Sequence, residues 1–100
     1  MKKQLYSKLN TEFKYKTARK EKNINKLKIG MLITCINKYS QYECEQGIIS
    51  SVWSDHSAKY IEFENPQGSF EFIFSYGDGW CDIYVHTKEE TLLYKIEYEI

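Results

Sequence analysis

The chain has 100 residues, equal numbers of acidic and basic side chains, and an aromatic share of 16%. That is one domain's worth of sequence, able to bury a core without a disulfide or metal staple, and too apolar and aromatic for a disordered polypeptide. No apolar run approaches a membrane span or the centre of a signal peptide.

The cysteines, Cys35, Cys44 and Cys81, are odd in number and irregularly spaced. They read as reduced thiols of a cytoplasmic protein, not as a secreted disulfide framework. Thirteen lysines stand against one arginine, Arg19, and Ile, Asn and Tyr abound, a composition that resembles the codon bias of an AT-rich genome and suggests a bacterial or phage source. The neutral total conceals a segregation. Residues 1–28 carry ten cations against Glu12 and Glu21, a net +8, whereas residues 29–100 carry four against twelve acids, a net −8. This predicts a basic arm over residues 1–27 and an acidic domain over 28–100. Opposite signs on one tethered chain also allow the arm to lie on its own domain.

In chain order, Leu5, Leu9 and Phe13 recur every fourth residue and predict a helix over roughly residues 3–21, although Phe13 to Thr17 alternates like a strand. From Lys28 the period changes to two. Met31–Ile36 is a compact apolar strand, and Asn37–Gln46 is a polar loop carrying Tyr39 and Tyr42. Gly47 opens a strand through Trp53, Ser54–Ala58 turns, and Lys59–Glu64 alternates with Ile61 and Phe63 on one face and Glu62 and Glu64 on the other. Asn65-Pro66-Gln67-Gly68 is a turn signal. Phe70, Phe72, Phe74 and Tyr76 mark the next strand, and Gly77-Asp78-Gly79 a tight hairpin. Trp80–His86 follows with Cys81, Ile83 and Val85 inward. After a polar link over Thr87–Thr91, Tyr94, Ile96, Tyr98 and Ile100 alternate as a last strand. About six short strands joined mostly by hairpins predict a mainly β, small antiparallel barrel or sandwich behind a basic helical arm.

The entry Lys28-Ile29-Gly30-Met31, the long first loop, and Glu45-Gln46-Gly47-Ile48-Ile49 followed by strand, hairpin and strand resemble an SH3-like small barrel over residues 28–86. The resemblance implies a barrel architecture of five to six strands. It implies no activity, because such barrels host many functions and the acidic-aromatic peptide groove motif of signalling SH3 domains is absent.

Chemistry-bearing residues are few. Cys35, Cys44, Cys81, His56 and His86 form no metal-ligand spacing, and no cofactor or metal is expected. Asp55-His56-Ser57 holds triad letters, but triads assemble across a fold, and these residues read as a polar turn. Asp82, Tyr84 and His86 share a strand face. They read as the solvated side of a sheet, with a small hydrolase or nuclease using His86 and Asp82 as a lesser alternative. Gly77-Asp78-Gly79 lacks the helix a phosphate loop requires.

Two surfaces remain. Glu62, Glu64, Glu71 and Asp82 with Tyr39, Tyr42, Trp53 and Trp80 compose an acidic, aromatic surface suited to a protein partner. Such a surface could mimic nucleic acid in a basic groove, as in a phage-type inhibitor of a host protein. The expectation is a non-enzymatic interaction domain that binds protein. The alternative is an accessory protein binding nucleic acid weakly and without sequence preference through Lys8, Lys14, Lys16, Arg19, Lys20 and Lys22. Open strand edges would permit self-association.

Overall fold

The computed structural model describes residues 3–4, 14–15, 17–37, 44–56, 58–75 and 81–99, without side chains for 3, 4, 24, 37, 44, 70–75 and 81. Within these, the chain forms β1 (Lys3–Gln4), β2 (Thr17–Lys20), β3 (Leu32–Asn37), β4 (Cys44–Ser54), β5 (Ala58–Asn65), β6 (Gly68–Ser75), β7 (Cys81–His86) and helix α1 (Lys88–Tyr98). A single 3-10 turn, Ile24–Lys26, lies between β2 and β3.

All strand pairs are antiparallel, in one sheet ordered β1-β2-β7-β3-β4-β5-β6. Six strands of four or more residues are joined at one edge by the two-residue β1. The barrel expected from the SH3-like resemblance is not closed: among the described residues β1 and β6 end the sheet and do not pair with each other.

The expected amino-terminal helix is also absent among the described residues. Strands occupy both ends of its range, and residues 5–13 lie outside the described residues. Thr17–Lys20 pairs with β7, setting Ala18 opposite His86, Arg19 opposite Val85 and Lys20 opposite Tyr84. Of the alternating segment from Phe13 to Thr17, Thr17 alone is strand among the described residues, and pairing of β2 with β7 satisfies the backbone groups that a helix would otherwise satisfy internally.

At the other end, Tyr94, Ile96 and Tyr98 lie on a helix, not on the expected strand. The reason is local. Thr87 is an N-cap whose Oγ1 accepts from the backbone N–H of Glu90 at 3.0 Å, and Glu89 and Glu90 complement the positive end of the helix dipole. Glu99 closes the helix in the left-handed region at φ 56°, and its N–H donates to the Lys95 carbonyl.

Strand β4 begins at Cys44, three residues before Gly47, so part of the expected loop is strand. Gly47 lies inside β4 because the next strand presses on it. A Cβ there would stand 2.5 Å from the Glu64 carbonyl oxygen and 2.6 Å from Phe63 Cδ2. A bulge between Ile49 and Ser51 then shifts the β4–β5 register, and Ser50 Oγ donates to the Glu62 carbonyl oxygen at 3.2 Å. The Asn65–Gly68 hairpin is as expected. Asn65 Oδ1 accepts from the N–H of Gln67 at 2.8 Å, and Gly68 takes φ +140°.

Residues Leu32 to Ile36 are all buried, so the central strand is covered on both faces. One face carries Leu27, Ile33, Cys35, Ile49, Ile61, Phe63 and Ile83, with Met31, Val52 and Val85 packed against them. On the other face Tyr15, Leu32, Ile48 and Tyr94 of α1 pack together, with the Tyr15 and Tyr94 rings edge to face at 5.6 Å.

Candidate protein interface

Alternation along β5 places Tyr60, Glu62 and Glu64 on one face and buries Ile61 and Phe63 on the other. Trp53 of β4 is in register with Tyr60. Their rings stack with centroids 5.4 Å apart and planes within 9°, leaving Trp53 40% exposed. The turn beside them is held by Asp55. Its Oδ1 accepts from the Ala58 N–H at 2.9 Å, its own N–H donates to the Ala58 carbonyl, and its Oδ2 accepts from the Tyr60 hydroxyl at 2.9 Å.

Glu62 is in register with Ser51 on one side and Glu71 on the other, and Glu64 with Ile48 and Ser69. Like charges facing each other across strands disfavour the sheet. Among the described residues neither Glu62 nor Glu64 enters an ion pair. An exposed indole, a phenol and two carboxylates thus share one face of β4 and β5.

Of the other residues expected in this surface, Asp82 stands apart on β7 and pairs with Lys20 at 3.1 Å. Glu71 is placed by its backbone register alone, and Tyr39, Tyr42 and Trp80 lie outside the described residues.

The cations of the arm are partly engaged. Lys14 Nζ reaches Glu97 at 3.1 Å and sits 5.6 Å from the Tyr15 ring centroid. Arg19 is 3.8 Å from Glu21, and Lys20 pairs with Asp82. Lys22 is exposed, and Lys8 and Lys16 lie outside the described residues. The Tyr15 hydroxyl donates to Glu97, and that bond together with burial raises the phenol to about 12. The same bond, then Lys14, lowers the Glu97 carboxyl.

His86 corrects the sequence reading most sharply. It is not on a solvated face; its ring is fully buried beneath α1. Nδ1 lies 2.8 Å from Glu90 Oε1, and Nε2 lies 2.7 Å from Thr34 Oγ1. Gln46 Nε2 donates to the Tyr15 carbonyl at 2.9 Å and to Thr34 Oγ1 at 3.0 Å. With both amide hydrogens so used, the Thr34 hydroxyl hydrogen goes to His86 Nε2, and the imidazole proton sits on Nδ1, donating to Glu90. The ring is neutral: burial lowers its pKa below 6.5, outweighing the bond and charge of Glu90.

A hydroxyl, an imidazole and a carboxylate in this order have the connectivity of a nucleophilic triad. Thr34, however, is 0% exposed and its Oγ1 already accepts from Gln46, so a substrate carbonyl has no approach. The array instead ties α1 to β3, β4 and β7. Thr34, Gln46 and Glu90 escaped the sequence reading; the one available signal was Thr87-Lys88-Glu89-Glu90, a helix-start pattern that turns Glu90 toward His86.

Helix α1 also exposes Leu92 (59%), Leu93 (55%) and Ile96 (66%), an apolar stripe that the strand expectation hid. Among the described residues no three of His, Cys, Asp and Glu converge as a cation site requires, and no helix is long and apolar enough to cross a membrane.

In comparisons with known proteins, no family model matches the chain, and neither a curated protein nor a solved structure matches it significantly.

Proposed function

We propose that this protein is a non-enzymatic interaction domain that binds a protein partner through the face carrying Trp53, Tyr60, Glu62 and Glu64. The observation that carries this reading is the stacked Trp53–Tyr60 pair, half open to solvent beside carboxylates with no ion-pair partner among the described residues. Stacking holds the indole in place, so a partner docking on it loses little side-chain freedom, and tryptophan and tyrosine are the usual anchors of protein interfaces. The carboxylates select a basic partner surface. Lysine or arginine can pair with Glu62 or Glu64, or lie on the indole face. Lys14, Arg19 and Lys20 already face acids of this same chain, which leaves the acidic face as the stronger candidate for a partner.

Affinity capture from a lysate with the full chain tests this. Trp53→Ala should lower recovery of the captured protein about tenfold or more, the loss typical of a central aromatic anchor. The pair Glu62→Lys with Glu64→Lys should abolish recovery, because both introduced charges would repel a basic surface. A partner captured equally by all three proteins would overturn the reading.

A further inference from the structure

The two edges of the sheet are unlike. At one end β1 is two residues long and includes Lys3, and short strands and lysine are the usual protection against edge-to-edge pairing. At the other end β6 runs over Gly68–Ser75, Gly-Ser-Phe-Glu-Phe-Ile-Phe-Ser, with no proline or lysine and one charge, Glu71. One side of β6 pairs with β5 along its whole length. Among the described residues nothing pairs with the other side, and within them the backbone N–H and C=O groups along that side of β6 have no strand partner.

The sequence of that edge is self-complementary. From Ser69 to Ser75 it reads nearly the same in both directions about Phe72. Antiparallel pairing with a second copy about a twofold axis at Phe72 sets Ser69 opposite Ser75, Phe70 opposite Phe74, Phe72 opposite itself and Glu71 opposite Ile73. The aromatic positions 70, 72 and 74 then meet aromatic positions on one face of the joined sheet, and no two acids stand opposite each other. Other centres do worse. An axis at Glu71 sets the two Glu71 positions against each other, which is unfavourable. An axis at Ile73 shortens the pairing within β6 to residues 71–75. An axis between residues sets aromatic positions against Glu71 or the serines.

We propose that two copies of this chain associate edge to edge through β6, antiparallel about a twofold axis at Phe72, joining their sheets into one. An isologous pair of this kind closes on itself and, among the described residues, leaves the short β1 edges outside. The proposal is independent of the Trp53 face, which concerns a different protein.

Sedimentation velocity of the full chain over a concentration series tests it, with circular dichroism as the check of folding. The wild-type chain should show a reversible monomer–dimer equilibrium. Ile73→Lys should tighten it about fivefold, because each introduced ammonium faces the second copy's Glu71. Phe72→Lys should weaken it about tenfold or more, because two ammoniums meet at the axis. Phe72 is in register with the core residue Ile61, so that variant can fail to fold; Ile73, in register with Tyr60, then decides alone. A monomer at every concentration, or a dimer that Ile73→Lys does not strengthen, overturns the proposal.

Discussion

The two faces of the central strand β3 are both buried, yet they are built on different principles. On one, Ile33 and Cys35 join Ile49, Ile61, Phe63 and Ile83 in a wholly apolar layer. On the other, Leu32 sits beside Thr34, whose hydroxyl belongs to a network with Gln46, His86 and Glu90 beneath α1. The apolar face needs only volume and patterning to form. The polar face needs every donor and acceptor matched, because an unpaired buried polar group costs more than a made hydrogen bond returns. The difference teaches that the sheet coheres through the first face, and that the position of α1 is specified through the second.

The largest expected effect breaks the apolar face. Phe63 is fully buried and packs over Gly47, so Phe63→Ala should cost about 3–5 kcal/mol of stability, read as a lower denaturation midpoint in urea. A loss below about 1 kcal/mol would mean that the site collapses freely and is not the centre of the core.

A smaller effect should follow from opening the polar face. Gln46→Leu removes the donor to the Tyr15 carbonyl and to Thr34, which should cost about 1–3 kcal/mol. Hydrogen exchange should localise the change to α1, β3 and β7. Equal loss of protection along β5 and β6 would show instead that the two faces unfold as one unit.

The gentlest probe is pH. His86 is neutral in the folded chain with its pKa lowered, so the unfolded chain takes up the proton first as pH falls below the ordinary histidine value of 6.5. The stability associated with the neutral ring is therefore fully present above 6.5 and declines as pH falls toward the lowered value. Denaturation midpoints at pH 8 and pH 5 should show the wild type losing more than His86→Gln. Identical pH dependence in the two would place the titration elsewhere.

Much of the fold was legible because its causes are local. Alternation in Lys59–Glu64 marked β5 and its faces, and Asn65-Pro66-Gln67-Gly68 marked the hairpin, since side-chain parity and turn chemistry act over a few residues. Of the candidate interface, Trp53, Glu62 and Glu64 were named from sequence, but the Trp53–Tyr60 stack depends on register across two strands and a bulge. The carboxy-terminal helix was misread because Tyr94, Ile96 and Tyr98 satisfy period two, whereas Thr87 and Glu90 carry the weaker, decisive helix-start signal.

By itself the sequence determined a mainly β chain, most of its strands, the acidic outward positions of β5 and the separation of charge between its two parts. Only the tertiary structure decided that β2 pairs with β7, that among the described residues the sheet stays open with β6 at an edge, and that His86 is buried between Thr34 and Glu90. Strand order and the burial of a polar side chain depend on partners distant in the chain, and no local pattern encodes which partner arrives.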